Sequence, residues 1–360
     1  MSATPSAGSA TDRQGGTARS RRELLLDGLK LLFLAIACYL TYRLAANVGW
    51  QDLWHHIRRA QPLWLAAASL MLVGRYVAWE IRWRMELASE GEAPHPWIGF
   101  ASLMVSALVN LITPSVRVFG GLARARYLAG ESERPFSTLY GVVLFDQFAH
   151  QTVMMSLTWV AFISFAWRIG RLRLAEASTL LLLLAILVLV LWLRRRSRRN
   201  RQIRRFFARS AGSGAGRWQT LKHGGKEVAI IASRLLKNRH LRPWLVIMGL
   251  AYFALNVGGQ WAVFVALGQH ESILTVAIVV ALGTAAGAIT GTPGGLGTTE
   301  AAMIESFVLL GTPRLDAVAA TFLCRGLHYV MVVALGLPSL ISLEIRKRLR
   351  GATDSGRRAA

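Results

Sequence analysis

Residues 283–311, GTAAGAITGTPGGLGTTEAAMIESFVLLG, hold the densest chemistry in the chain. A hydrophobic run stops at Thr292-Pro293-Gly294-Gly295 and resumes past Gly297 with Glu300 on its first helical turn. Proline donates no N–H and glycine supports a helix poorly, so the backbone must break here. At membrane depth a break survives only against protein or a wet cavity, which makes it a candidate binding site. Glu300 falls where a helix dipole favours an anion and is suited to holding a cationic head group or carrying a proton. Arg124, which follows a second apolar run, is suited to a lipid phosphate through charge-assisted hydrogen bonds, the competing role being interfacial snorkelling. Asp146 and His150 are one helical turn apart and share a face, as a proton relay or part of a metal site would require. No third ligand accompanies them, so no metal is expected. Glu305 has less support, and Arg126, Arg75, Glu80 and Arg43 read as snorkelling or interhelical residues.

The elements that position these residues must be membrane helices. Hydrophobic residues make up 53% of the 360, and the mean hydropathy is +0.39, too apolar for a soluble domain of this size. The net charge of +23 is confined to termini and loops, and residues 194–242 carry sixteen lysines and arginines against one acid, Glu227. Such a loop orients a membrane protein or docks anionic lipid; no nucleic-acid-binding fold accompanies it. Cys38 and Cys324 lie in apolar runs and read as small core residues. The chain divides into a polar cytoplasmic tail (1–28), a first membrane half (29–193), the basic cytoplasmic loop (194–242), a second half (243–343) and a basic tail (344–360).

Apolar runs occur at about 29–48, 62–80, 97–112, 136–165, 177–193, 243–267, 272–291, 296–311 and 315–343. Positive charge marks cytoplasmic loops, so both tails and the basic loop should share one side. Five crossings before Arg194 would separate them. The conflict disappears if residues 97–130 form a re-entrant hairpin broken around Pro114, Gly120 and Gly121, and 272–311 form another broken at Pro293, Gly294, Gly295 and Gly297. Six full spans and two hairpins result, with Arg168, Arg171 and Arg173 in an outer loop. Gly283, Gly287 and Gly291, four residues apart, give the second hairpin a thin helix face for close packing. An internal repeat supports the scheme: Thr113-Pro114 and Thr292-Pro293 stand 179 residues apart, and Trp64 and Trp244 stand 180 apart. Three crossings between the tryptophans invert the second unit relative to the first, as in alternating-access transporters. The same offset sets His150 against Tyr329 and Asp146 against Arg325. Asp146 and Arg325 are therefore expected to pair or to line one site jointly, unless each finds a local partner.

TPGGLGTTEAA, followed by FLCRGLHY, resembles the second signature of the flippase-like membrane domain of the lysylphosphatidylglycerol synthase family. Pro293, Gly294, Gly295, Gly297, Glu300, Ala301, Arg325 and Tyr329 fall on that signature. TPSVRVFGGLARARYL similarly sets Pro114, Gly120, Gly121 and Arg124 on the first. The likeness spans about residues 25–345. It departs at Leu122, near which the family usually has an acid, and at Phe145, Asp146 and His150, where Glu-Arg and an Asp are usual. It implies a stand-alone member, without the soluble aminoacyl transferase domain, that moves or handles lipids. With Asp146, which the repeat sets against Arg325, the signature positions Arg124, Glu300, Arg325 and Tyr329 are the expected substrate-binding residues.

The expected protein is an all-α integral membrane protein with two inverted repeats around a cavity near the bilayer middle. Its expected task is moving an amphipathic phospholipid or lipid-linked molecule across the cytoplasmic membrane, with both termini cytoplasmic. Arg124 and Arg325 would meet phosphate, and Asp146 and Glu300 would balance charge or take up protons. The alternative is a membrane enzyme or accessory protein of lipid or polyprenyl-glycan synthesis. No Asp-x-Asp, Walker lysine loop or nucleophile elbow is present, so no catalytic residue or cofactor is expected. Expected partners are membrane lipids and lipid-biosynthesis enzymes.

Overall fold

The computed structural model describes residues 49–92, 94–113, 118–132, 134–171, 230–290 and 292–359, with Tyr39 and Tyr42. The tail 1–28, the run 177–193, Pro114, Arg43, Arg173, Gly291 and most of the basic loop lie outside them, as does the run 29–48 apart from Tyr39 and Tyr42. The described chain is built from α1 (Trp50–Arg58), α2 (Pro62–Ser89), α3 (Pro96–Ile112), α4 (Val118–Ala129), α5 (Phe136–Arg168), α6 (Leu241–Ala266), α7 (Ile273–Thr290), α8 (Thr298–Leu309) and α9 (Arg314–Ala359). A single 3-10 turn, Pro293–Gly295, joins α7 to α8. Pro62 and Pro96 open α2 and α3, where a missing N–H costs nothing. By length and composition α2, α5, α6, α7 and the Arg314–Arg350 part of α9 can each cross a membrane, and α3 is a shorter apolar helix. This is an all-α, multi-pass membrane protein.

Helix starts recur in order at residues 62 and 241, 96 and 273, 118 and 298, and 136 and 314, at a nearly constant interval. Each half is thus a long helix, two shorter ones folded against each other, and another long helix. The equivalent helices α2 and α6 lie side by side and antiparallel. At one end the Gln61 amide donates to the Ala266 carbonyl at 2.8 Å, and at the other Trp79 meets Tyr252 edge to face at 5.7 Å. Antiparallel contact between equivalent helices makes the halves inverted. Two apolar cores are centred one in each half, and each also takes in residues of the other half's long helix, Leu241 and Leu245 in the first and Ala68 and Leu72 in the second. In the first half Trp83, Leu128 and Val143 are fully buried together; in the second, Phe264, Ile304 and Phe307.

The hairpins close through small residues. On α7, a side chain at Gly283 would collide with Met303, and one at Gly287 with Thr299, both on α8. The turn itself uses backbone that favours glycine: φ is 58° at Gly294, 73° at Gly295 and 79° at Gly297. Two expectations need correction. Gly120 and Gly121 do not break the first hairpin; both lie inside α4, where they let it approach Asn110 of α3 and Gln147 of α5. The run expected to end at residue 80 continues as helix to Ser89, because Arg82 and Glu86, which halt the apolar pattern, are buried against other helices.

Candidate functional site

Each half encloses a charged centre. In the first, α5 delivers Asp146 to a fully buried position. Its carboxylate accepts from Arg82 Nε at 3.0 Å and Nη2 at 2.5 Å, from Arg124 Nη1 at 2.7 Å and from the Trp79 indole at 2.8 Å. Arg124 lies over Trp83, its guanidinium carbon 3.5 Å from the ring centroid, and is 1% exposed. His150 Nδ1 stands 3.2 Å from Arg82 Nη1, and its ring stacks on Trp79 at 4.6 Å. Glu86, fully buried, lies 3.8 Å from Arg82. One carboxylate holding two guanidinium groups satisfies the anion well, and strong charge-assisted bonds offset much of the desolvation.

In the second half the signs are exchanged. The long helix α9 supplies the cation, Arg325, and α8 supplies the acid, Glu300, from its first turn. Arg325 Nε donates to Glu300 Oε1 at 2.7 Å, and its Nη2 donates to the Gly294 carbonyl at 2.6 Å and also to the Tyr329 hydroxyl. Tyr329 in turn donates to Glu300 Oε1 at 2.8 Å. The carbonyl freed by the broken helix therefore finds a guanidinium, as a buried polar group must. This arrangement clamps the turn to α9.

A cavity of about 580 Å³ lies between the halves, walled by α2, α3, α5, α6, α7, α8, α9 and the Pro293–Gly295 turn. Its polar lining includes Arg75, Asn110, Gln147, Asn256, Arg325 and His328. At its edge stand Phe148 and Ile289, 65% and 81% exposed. Leu111 at the end of α3 packs against Gly294, so the tips of the two hairpins meet on the cavity wall. The inter-half contact is completed by Arg75, which donates to Asn256 on α6 and, at 2.5 Å, to His328 Nδ1 on α9.

Asp146 and Arg325 do not pair, because each is taken up by partners in its own half. Arg325 lines the cavity, whereas Arg124, Asp146 and Glu300 sit behind its wall. Arg124 is committed to Asp146 and Trp83, so the phosphate contact expected of it has no accessible surface. Glu305 makes an exposed ion pair with Arg314, and Arg168 donates to Thr275 on α7. Arg75, read from sequence as a snorkelling or interhelical residue, is an interhelical cavity residue. Arg82 and Glu86 went unrecognised, although the spacing of Trp79, Arg82, Trp83 and Glu86 places all four on one face of α2.

Fold and site together define a polytopic membrane protein of two inverted, hairpin-bearing halves around a polar chamber. Residues 29–336 match the lysylphosphatidylglycerol synthase TM region, and the chain belongs to that family. It is similar to a UPF0104 membrane protein of Methanocaldococcus jannaschii, with 20% identity over 87% of this chain and 94% of the relative. A UPF0104 membrane protein of Methanothermobacter thermautotrophicus is 21% identical over 79% of this chain and 86% of the relative.

Proposed function

We propose that this protein carries an amphipathic phospholipid or lipid-linked molecule between the leaflets of the cytoplasmic membrane, with both termini on the cytoplasmic side. The observation that carries the reading is the chamber's division of chemistry. Amides and two guanidinium groups stand on a wall that is otherwise largely apolar, and two bulky apolar side chains of that wall, Phe148 and Ile289, are widely exposed. A volume of about 580 Å³ suits a head group, leaving acyl chains outside in lipid. A polar group crossing bare hydrocarbon unpaired costs several kcal/mol, and the lining amides offset that cost. The inverted halves and the meeting of their broken hairpins on the chamber wall support access from alternate sides.

The test is purified full-length protein in liposomes containing a phospholipid with a fluorescent acyl tail, exposed to a membrane-impermeant quencher. Carriage predicts that the inner-leaflet fraction becomes quenchable faster than in protein-free liposomes. Rates no faster than those of protein-free liposomes for every head group in a panel would overturn the reading. A chemically altered lipid, detected by mass spectrometry, would establish an enzyme instead.

A further inference from the structure

The chamber is electrostatically one-sided. Arg75 and Arg325 face it, and among the described residues no aspartate or glutamate contributes to its lining. Arg325 has its counter-charge behind the wall in Glu300. Arg75 has none: among the described residues no carboxylate lies within ion-pair distance of it, and its hydrogen-bond partners, Asn256 and His328, bring no negative charge. It nevertheless sits in the middle of α2 and is 7% exposed, and its Nε is buried with no partner. The rings of Tyr76 and Tyr252, 5.0 and 5.8 Å from its guanidinium carbon, offset part of the charge. An otherwise uncompensated guanidinium at membrane depth is expensive and marks a place where an anion completes the site.

From this we infer that the chamber binds an anionic, phosphate-bearing lipid head group at Arg75, and that it discriminates against head groups of net positive charge. A guanidinium presents five N–H donors in a planar fork that matches phosphate oxygens, and here Nε has no partner while Nη1 and Nη2 each make one bond and keep a second N–H. The bonds to Asn256 and His328 fix the plane of the fork. Arg325, on the same lining, adds to the positive potential. A cationic aminoacyl head group would meet two arginines with no acid to receive its ammonium. The lipid in this inference rests on the carrier reading above; the sign of the charge does not.

The experiment is equilibrium binding to the detergent-solubilised full-length chain, corrected for empty micelles. The probes are dihexanoyl phosphatidic acid, dihexanoyl phosphatidylcholine, a short-chain aminoacyl phosphatidylglycerol and inorganic phosphate. Phosphatidic acid is expected to bind at least tenfold more tightly than the zwitterionic and cationic lipids. Arg75→Gln should lose that preference, Arg75→Lys should retain part of it, and Glu305→Gln, at an exposed pair, should leave it intact. Equal affinity for all three lipids, or an Arg75→Gln protein that keeps the preference, overturns the inference. Where Arg75→Gln fails to fold, the wild-type ranking and Arg75→Lys decide it. Inorganic phosphate binding as tightly as phosphatidic acid would assign the site to the free ion and overturn the lipid head group. Anion-selective binding with no transport of any lipid would overturn the carrier reading and leave this one standing.

Discussion

Among the described residues Asp146 is the most heavily engaged carboxylate, accepting from two arginines and a tryptophan with no exposed surface. Its removal strands two buried cations, so Asp146→Ala is expected to destabilise the protein by about 3–5 kcal/mol, read as a large fall in the thermal unfolding midpoint in detergent. Exchanging Asp146 and Arg325 by double substitution should restore nothing, because Arg82 and Arg124 would then face a third arginine. In the second centre Tyr329→Phe removes the hydrogen bonds that its hydroxyl gives to Glu300 and accepts from Arg325, for which a loss of at least about 1.5–3 kcal/mol is expected in the same assay. Glu300 was legible in the sequence because it closely follows a Pro-Gly-Gly break, and Arg325 because it stands as a charge in an apolar run, on the resembled motif and at the repeat offset from Asp146. Their local partnership was not, since the repeat appeared to offer each an opposite charge at the equivalent position. Residues related by a two-fold axis touch only where the axis passes, and here it passes by Arg75 and Asn256.

Among the elements, the second hairpin was the most legible and the first the least. Pro293 with three nearby glycines announces a turn, and the left-handed backbone of Gly294, Gly295 and Gly297 is what those glycines serve. Gly120 and Gly121 announced a turn equally well but serve close helix packing, a use that has the same composition and cannot be separated from it without the neighbours. The extent of α2 was hidden because charged residues interrupt hydropathy whether they face water or a buried partner. Two substitutions of opposite sign test the packing argument. Gly287→Val should destabilise by driving α8 off α7, whereas Gly326→Ala, on α9 with nothing near its added methyl group, should stabilise by up to about 1 kcal/mol through helix propensity. Thermal unfolding of both variants reads the contrast.

For the whole molecule, the meeting of Leu111 with Gly294 joins the two inverted halves at their broken tips. Cysteines at these two positions, in a chain with Cys38 and Cys324 replaced by alanine, are expected to cross-link under oxidation and to stop lipid exchange in the liposome assay, with reductant restoring it. Exchange unaffected by a complete cross-link would mean that the tips need not separate. Further out, Glu131 pairs with Arg346 and Arg350 of α9, whose side chains are 46% and 48% exposed. Such pairs contribute about 0–1 kcal/mol, so Glu131→Gln should scarcely move the unfolding midpoint that Asp146→Ala moves far. Both buried ionic centres are closed within a single half, and the described carboxylate–guanidinium pairs that bridge the repeats are these peripheral ones. A pivot of one repeat on the other would therefore carry both charge clusters along unbroken, and the polar bonds it would have to release are those of Arg75 to Asn256 and His328 at the middle of the seam and the weak fastenings at its rim.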